Sequence, residues 1–144
     1  MTTLSQKGAA VLRGDLPPVL NTIGGVTAVS IEPGRAVFDL EAAARHHNPM
    51  GTLHGGILCD IADAAMGMAY AARLEEGESF TTLELKINFL KPVRNGRLRA
   101  EARVVKAGRT VGMVECDVVD AGGSLVARAS STCMTLRGEM AKGR

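Results

Sequence analysis

The chain has 144 residues, 46% of them hydrophobic, with a formal net charge of +2. That apolar content excludes a wholly disordered chain, and the charge is too small to imply nucleic acid or an anionic membrane as a partner. The length suits one domain with a real core. With 3% aromatic residues and no Trp, that core has to be built from Ala, Val, Leu, Ile and Met.

Taken in chain order, residues 2–14 (TTLSQKGAAVLRG) predict a short amphipathic helix stopped by Pro17 and Pro18, within an N-terminal helical segment spanning 1–20. A domain over 21–137 follows. It opens with two strand-like runs around Pro33–Gly34, which read as a hairpin. The segment RHHNPMG is a loop, and a long helix is predicted from about His54 to Leu74. Period-two alternation then places Thr81, Leu83, Leu85, Ile87 and Phe89 on one face of a strand, with Thr82, Glu84, Lys86 and Asn88 on the other. Three further strands are predicted at Leu98–Val105, Val111–Asp120 and Leu125–Leu136, with turns at KAGR and DAGGS. Residues 138–144 are predicted to fray. One long helix cannot cover its own apolar surface, so an antiparallel sheet wrapped around it, an α+β architecture, is expected.

Charge is unevenly spread. Between Lys86 and Arg109 stand eight basic residues against Glu101 alone, a local +7. This points either to a phosphate-bearing ligand or to a solvated sheet face. The alternation of Arg97, Arg99, Glu101 and Arg103 with Leu98, Ala100, Ala102 and Val104 favours the solvated face. Cys59, Cys116 and Cys133 are odd in number, far apart and set in apolar runs, as reduced thiols of a cytoplasmic protein would be. There is no continuous apolar signal segment, and the most apolar helical run, 57–70, holds two aspartates and is too short to cross a bilayer. No membrane partner is expected.

The central helix concentrates the chemistry. Gly56, Asp60, Asp63 and Gly67 fall on one side, and Leu58, Ile61, Ala65 and Met68 on the opposite side, which should meet the sheet. The narrow stripe of small and acidic residues predicts a close neighbour, a second copy of the same helix. His54-Gly55-Gly56 begins the helix, where free N–H groups suit a carbonyl oxygen that gains negative charge during attack. A carboxylate such as Asp63 is then a general base or a nucleophile. A buried aspartate also serves purely structural ends, and the spacing leaves both readings open. Gly55 and Asp63 are eight residues apart, roughly 12 Å along a helix. If they share one carbonyl, Asp63 must come from a partner subunit. His46, His47, His54 and Cys59 match no zinc spacing, HExxH is absent, and no serine-nucleophile motif, P-loop or dinucleotide fingerprint occurs, so no metal is expected.

The stretch HNPMGTLHGGILCDIADAAMGMA, followed by TTLELKINFLKPVRNGRLRAEARVVKAGRT, resembles the PaaI-like hot-dog thioesterases of the phenylacetate-degradation type. The likeness covers about residues 25–135. It implies a hot-dog fold, a dimer that often pairs into a homotetramer, and hydrolysis of acyl-CoA with no cofactor, CoA being part of the substrate. By position it implies Asp63 as catalytic carboxylate, Asn48 as the residue positioning water or the reacting group, and the Gly55 N–H as carbonyl donor. It further implies His54 in support, Thr82 as a hydroxyl orienting water, and Lys106, Gly108 and Arg109 as CoA contacts. Asp60 matches no required position. Aryl-acetyl, hydroxylated aryl and short- or medium-chain acyl groups are all compatible. The alternative is a non-catalytic acyl-CoA-binding hot-dog module, against which the retention of Asp63 beside Asn48 speaks. A hot-dog hydratase would need an Asp…His arrangement that is not apparent here.

Overall fold

The computed structural model describes residues 4–144. Positions 1–3, the first of the predicted N-terminal helical segment, lie outside the described residues. The elements run α1 (Leu4–Leu12), α2 (Pro18–Ile23), β1 (Val26–Glu32), β2 (Arg35–Ala42), α3 (Gly55–Ala71), β3 (Ser79–Phe89), β4 (Gly96–Ala107), β5 (Val111–Asp120) and β6 (Leu125–Leu136). The six strands form one antiparallel sheet in the order β1-β2-β4-β5-β6-β3, folded around α3. This is the α+β hot-dog architecture expected from the sequence.

Local chemistry explains the boundaries. α1 stops at Leu12, short of the prolines, with Gly14 at φ 97° just past its end. Pro17 and Pro18 instead begin α2, which the sequence reading missed: Pro17 is the N-cap and Pro18 the first helical residue, where a missing N–H costs nothing. The β1–β2 turn uses Gly34 at φ 82°, and its backbone is tied to the rest of the domain, the Gly34 N–H donating to Ala69 O and its carbonyl accepting from Val104 N–H. Within residues 138–144, a short 3₁₀ turn runs over Gly138–Ala141, with Ala141 buried.

The core holds few aromatic rings, as the composition requires. Leu58, Ile61 and Ala65 of α3 are buried as predicted, joined by Ala62, Met66, Ala69 and Tyr70, while Met68 is only half-buried. Glycines seat three of the four aromatic side chains. A Cβ at Gly112 would stand 2.6 Å from Tyr70, one at Gly67 3.4 Å from Phe80, and one at Gly55 2.8 Å from Phe89. The neighbour expected at the Gly67 end of the small-residue stripe was a second helix; within this chain the place is taken by Phe80 of β3, whose ring also packs 5.6 Å from that of Tyr70. Tyr70 keeps its buried hydroxyl satisfied on Thr135 Oγ1 at 2.7 Å.

Carboxylates from other strands meet part of the local charge excess. Arg99 meets Asp39 of β2 through two hydrogen bonds, Arg103 meets Glu115 of β5, Arg128 meets Asp117 across β5 and β6, and Lys91 meets Asp120. The solvated-face reading of Arg97, Arg99, Glu101 and Arg103 therefore holds.

Candidate active site

The site is built around the start of α3. The loop from His47 to Leu53 is closed by a β-bridge between those two residues, by Asn48 N–H donating to Thr52 O at 2.7 Å, and by the Asn48 amide itself. Its Oδ1 accepts from the N–H groups of Met50 and Thr52, and its Nδ2 donates to Thr52 Oγ1 at 2.9 Å. In this chain Asn48 thus shapes the loop. The loop is fastened to the segment after β3, Leu53 N–H donating to Val93 O and His47 Nε2 donating to Arg94 O.

His54 is the N-cap of α3, its Nδ1 accepting from Gly56 N–H at 2.9 Å. A Cβ at Gly56 would stand 2.9 Å from that same nitrogen, so the second glycine of the motif is the space the cap occupies. The capping bond uses one of the free donors at the helix start. The Gly55 N–H has no partner among the described residues. Gly55 lines, with Asn48, a cleft of about 400 Å³ whose other walls include Leu58, Phe89, Leu90 and Val93.

Of the three histidines, His46 is structural. It is buried, its Nδ1 accepts from Ala43 N–H, and its Nε2 donates to the carbonyls of Ile23 and Gly24, so it pins the end of α2 to the site loop.

Asp63 sits two turns along α3 and is open to solvent on one flank. Its carboxyl is held above the ordinary aspartate value, first by the loss of hydration among apolar neighbours and then by the negative charge of Asp60. Its own charge in turn helps push up the thiols of Cys59 and Cys133, burial being the larger cause for both. Thr82 Oγ1 lies 3.9 Å from Cys133 Sγ.

Strict alternation placed Thr82 on the face opposite Leu85, Ile87 and Phe89, and this is corrected by the structure. A β-bulge lies between Thr82 and Glu84: Thr82 pairs with Cys133, but Glu84 pairs with Thr132. Leu83 is the extra residue. The pleat flips there, so Phe80 and Thr82 before it and Leu85, Ile87 and Phe89 after it all face the helix.

The carried-over residues therefore fall into three groups within one chain. Asn48 and Gly55 share the cleft at the helix start, with His54 as its cap. Asp63 and Thr82 line neither that cleft nor the next. Lys106 and Gly108 line a second depression, of about 470 Å³, on the outer sheet face with Glu84, Met113 and Thr132. Arg109 stands in the β4–β5 turn, its carbonyl accepting from Arg137 Nη2 at 2.7 Å.

Residues 50–127 match the thioesterase superfamily. The chain belongs to that family. It is 30% identical to human acyl-coenzyme A thioesterase 13 over 112 residues, 76% of this chain and 79% of that protein. It is 32% identical to the 1,4-dihydroxy-2-naphthoyl-CoA hydrolase of Listeria monocytogenes over 96 residues, 67% of this chain and 78% of the other. Among solved structures it superimposes on the phenylacetic acid degradation protein PaaI of Thermus thermophilus with a TM-score of 0.75 and 28% identity, covering 82% of this chain and 98% of that one. The thioesterase family assignment makes the chain a thioester hydrolase with PaaI-type structural relatives. No helix among the described residues is long and apolar enough to cross a membrane.

Proposed function

We propose that this thioester hydrolase is a cytoplasmic acyl-CoA thioesterase acting on aryl- or short- to medium-chain acyl-CoA, in phenylacetate degradation or a related route, with each active site shared between two protomers. The observation that carries the reading is the Gly55 N–H, without a partner among the described residues, at the start of a 17-residue helix where Gly55 lines a largely apolar cleft. A donor there stabilises the oxyanion of a tetrahedral intermediate, an effect of about 3–4 kcal/mol. Thiolate is a good leaving group, so polarising the carbonyl and activating water suffice. Asp63, with its raised pKa, is the base that takes a proton from water or the nucleophile that attacks the carbonyl carbon. Thr82, turned toward the helix by the bulge, orients that water. Asn48 holds the loop that forms the cleft rim and His54 holds the helix start. Lys106, Gly108 and Arg109 receive the phosphates of CoA.

The split geometry supports the shared site. Gly55 and Asp63 are separated by roughly 12 Å along one helix, too far for one carbonyl carbon to touch both. The edge strand β3 offers the route to a partner: it is 11 residues long, unpaired on one side, and exposes Leu83 and Phe89. Such an edge calls for cover. Two dimers then associate as a tetramer. Two of the relatives named above, the human and the Listeria proteins, are described as acting on CoA thioesters, the second on an aryl-CoA, which supports the same substrate class here.

The test is free-thiol release from a panel of acyl-CoA substrates, followed by subunit mixing. Protomers carrying Asp63→Asn and protomers carrying Gly55→Ala, each inactive alone, regain activity as mixed dimers, because one of the two sites then has both intact groups. No recovery on mixing removes the shared site. A flat, background-level response across the panel makes the protein a binding module.

A further inference from the structure

Phe89 is 55% exposed, although Leu85 and Ile87 on the same face of β3 pack against the core. The ring is nevertheless firmly seated. It lies on the backbone of Gly55, with three of its carbons 2.8, 3.1 and 3.2 Å from the point where a Cβ would stand. Gly55 is not among the glycines with positive φ, so the backbone does not demand glycine there. The ring does. Two atoms bonded to one Cα are about 2.5 Å apart, which puts the ring edge within about 5 Å of the Gly55 nitrogen. A carbonyl oxygen accepting that N–H at about 2.9 Å brings its carbon and the first atom of its acyl chain against the ring. The neighbouring walls Leu58, Leu90 and Val93 are apolar too. An exposed aromatic beside a candidate donor at the mouth of an apolar cleft is an anchoring surface.

We infer that Phe89 selects the acyl group, its ring closing one end of the cleft and limiting the bulk that fits beside the Gly55 N–H. This rests on the assignment of that N–H as the carbonyl donor. The paired Gly55 and Phe89 then form one steric unit, in which the glycine makes room for the ring and the ring sizes the substrate.

The test compares wild type, Phe89→Ala and Phe89→Leu on hexanoyl-, phenylacetyl- and dodecanoyl-CoA by free-thiol release, with size-exclusion profiles of each. Removing the ring is expected to raise the kcat/KM ratio of dodecanoyl- over hexanoyl-CoA at least tenfold, with Phe89→Leu in between. Phe89→Leu carries the test if the alanine variant does not fold. A uniform fall on all three substrates, or wild-type selectivity in a protein that has lost its partner subunit, overturns the inference and makes Phe89 a packing residue. Wild-type inactivity on all three removes the assigned reaction itself, a failure seen before any variant is made. The steric unit is checked separately: Gly55→Ala loses at least tenfold in kcat/KM, and Gly55→Ala with Phe89→Ala recovers part of it. Equal damage with and without the ring overturns the pairing.

Discussion

Thr82 and Leu85 point to the same side of β3, although three residues of uninterrupted alternation would set them on opposite sides. The bulge at Leu83 makes the difference. Deleting Leu83 leaves Thr82 and Leu85 two positions apart, so regular alternation keeps Phe80, Thr82, Leu85, Ile87 and Phe89 on the helix side without a bulge. The deletion is therefore expected to be tolerated, costing less than about 2 kcal/mol, the burial that one apolar side chain of this size would lose. The urea midpoint measures it, and a larger loss of stability contradicts Leu83 being the extra residue.

Asp63→Asn is expected to lower turnover by about 10²- to 10⁴-fold, the range for loss of a general base, while the folded protein persists. Its carboxyl is raised in the folded state, so the unfavourable ionisation is fully present above the folded pKa and is relieved as pH falls through it. Removing the charge should therefore raise the melting temperature at neutral pH, with the gain shrinking in acid. A variant less stable than wild type at pH 7 contradicts the sign.

The same elevation fixes the acidic limb of the pH profile. The limb of kcat/KM should lie above 3.8, the ordinary aspartate value, and Asp60→Asn should move it down by removing the like charge, leaving the part due to lost hydration in place. A limb that ignores Asp60 assigns the titration to another group.

His54→Ala removes the N-cap of α3 and is expected to cost about 1 kcal/mol, with His54→Asn restoring most of it because an amide oxygen also accepts from the helix N–H groups. Urea denaturation read at constant slope separates this from a change in the unfolded state.

Tyr70→Phe leaves the Thr135 hydroxyl buried without its partner and is expected to cost about 1–2 kcal/mol. Adding Thr135→Val should return part of that loss. Strictly additive costs would mean that the two hydroxyls do not interact.

The wrapped-helix architecture was legible because periodicity is a property of neighbours in the chain: the apolar face of α3, the strand β6 and the hairpin at Gly34 all show in short windows. The family resemblance rested on similarly local words. What escaped was anything that depends on two distant segments meeting. The α2 helix was hidden because Pro17 and Pro18 read equally well as a stop and as a start. The bulge at Leu83 leaves no mark in composition; it appears only when β3 is laid against β6. His46 stood out in the sequence only as a residue matching no zinc spacing, and its task of tying Ile23 and Gly24 to the loop could not be read. Gly55 was legible as a candidate donor, whereas the ring that a Cβ there would strike lies 34 positions further on, in Phe89.

The pairing of Arg99 with Asp39, Arg103 with Glu115 and Arg128 with Asp117 has a bearing on how the protein behaves in solution. On the back of the sheet these three arginines each face a carboxylate, so an anion meets an interrupted cationic strip, with Lys106 at one end meeting no carboxylate among the described residues. Added salt weakens such exposed pairs. The unfolded chain, its basic stretch no longer matched by acids from other strands, should cling to a cation-exchange resin more tightly than the native fold does.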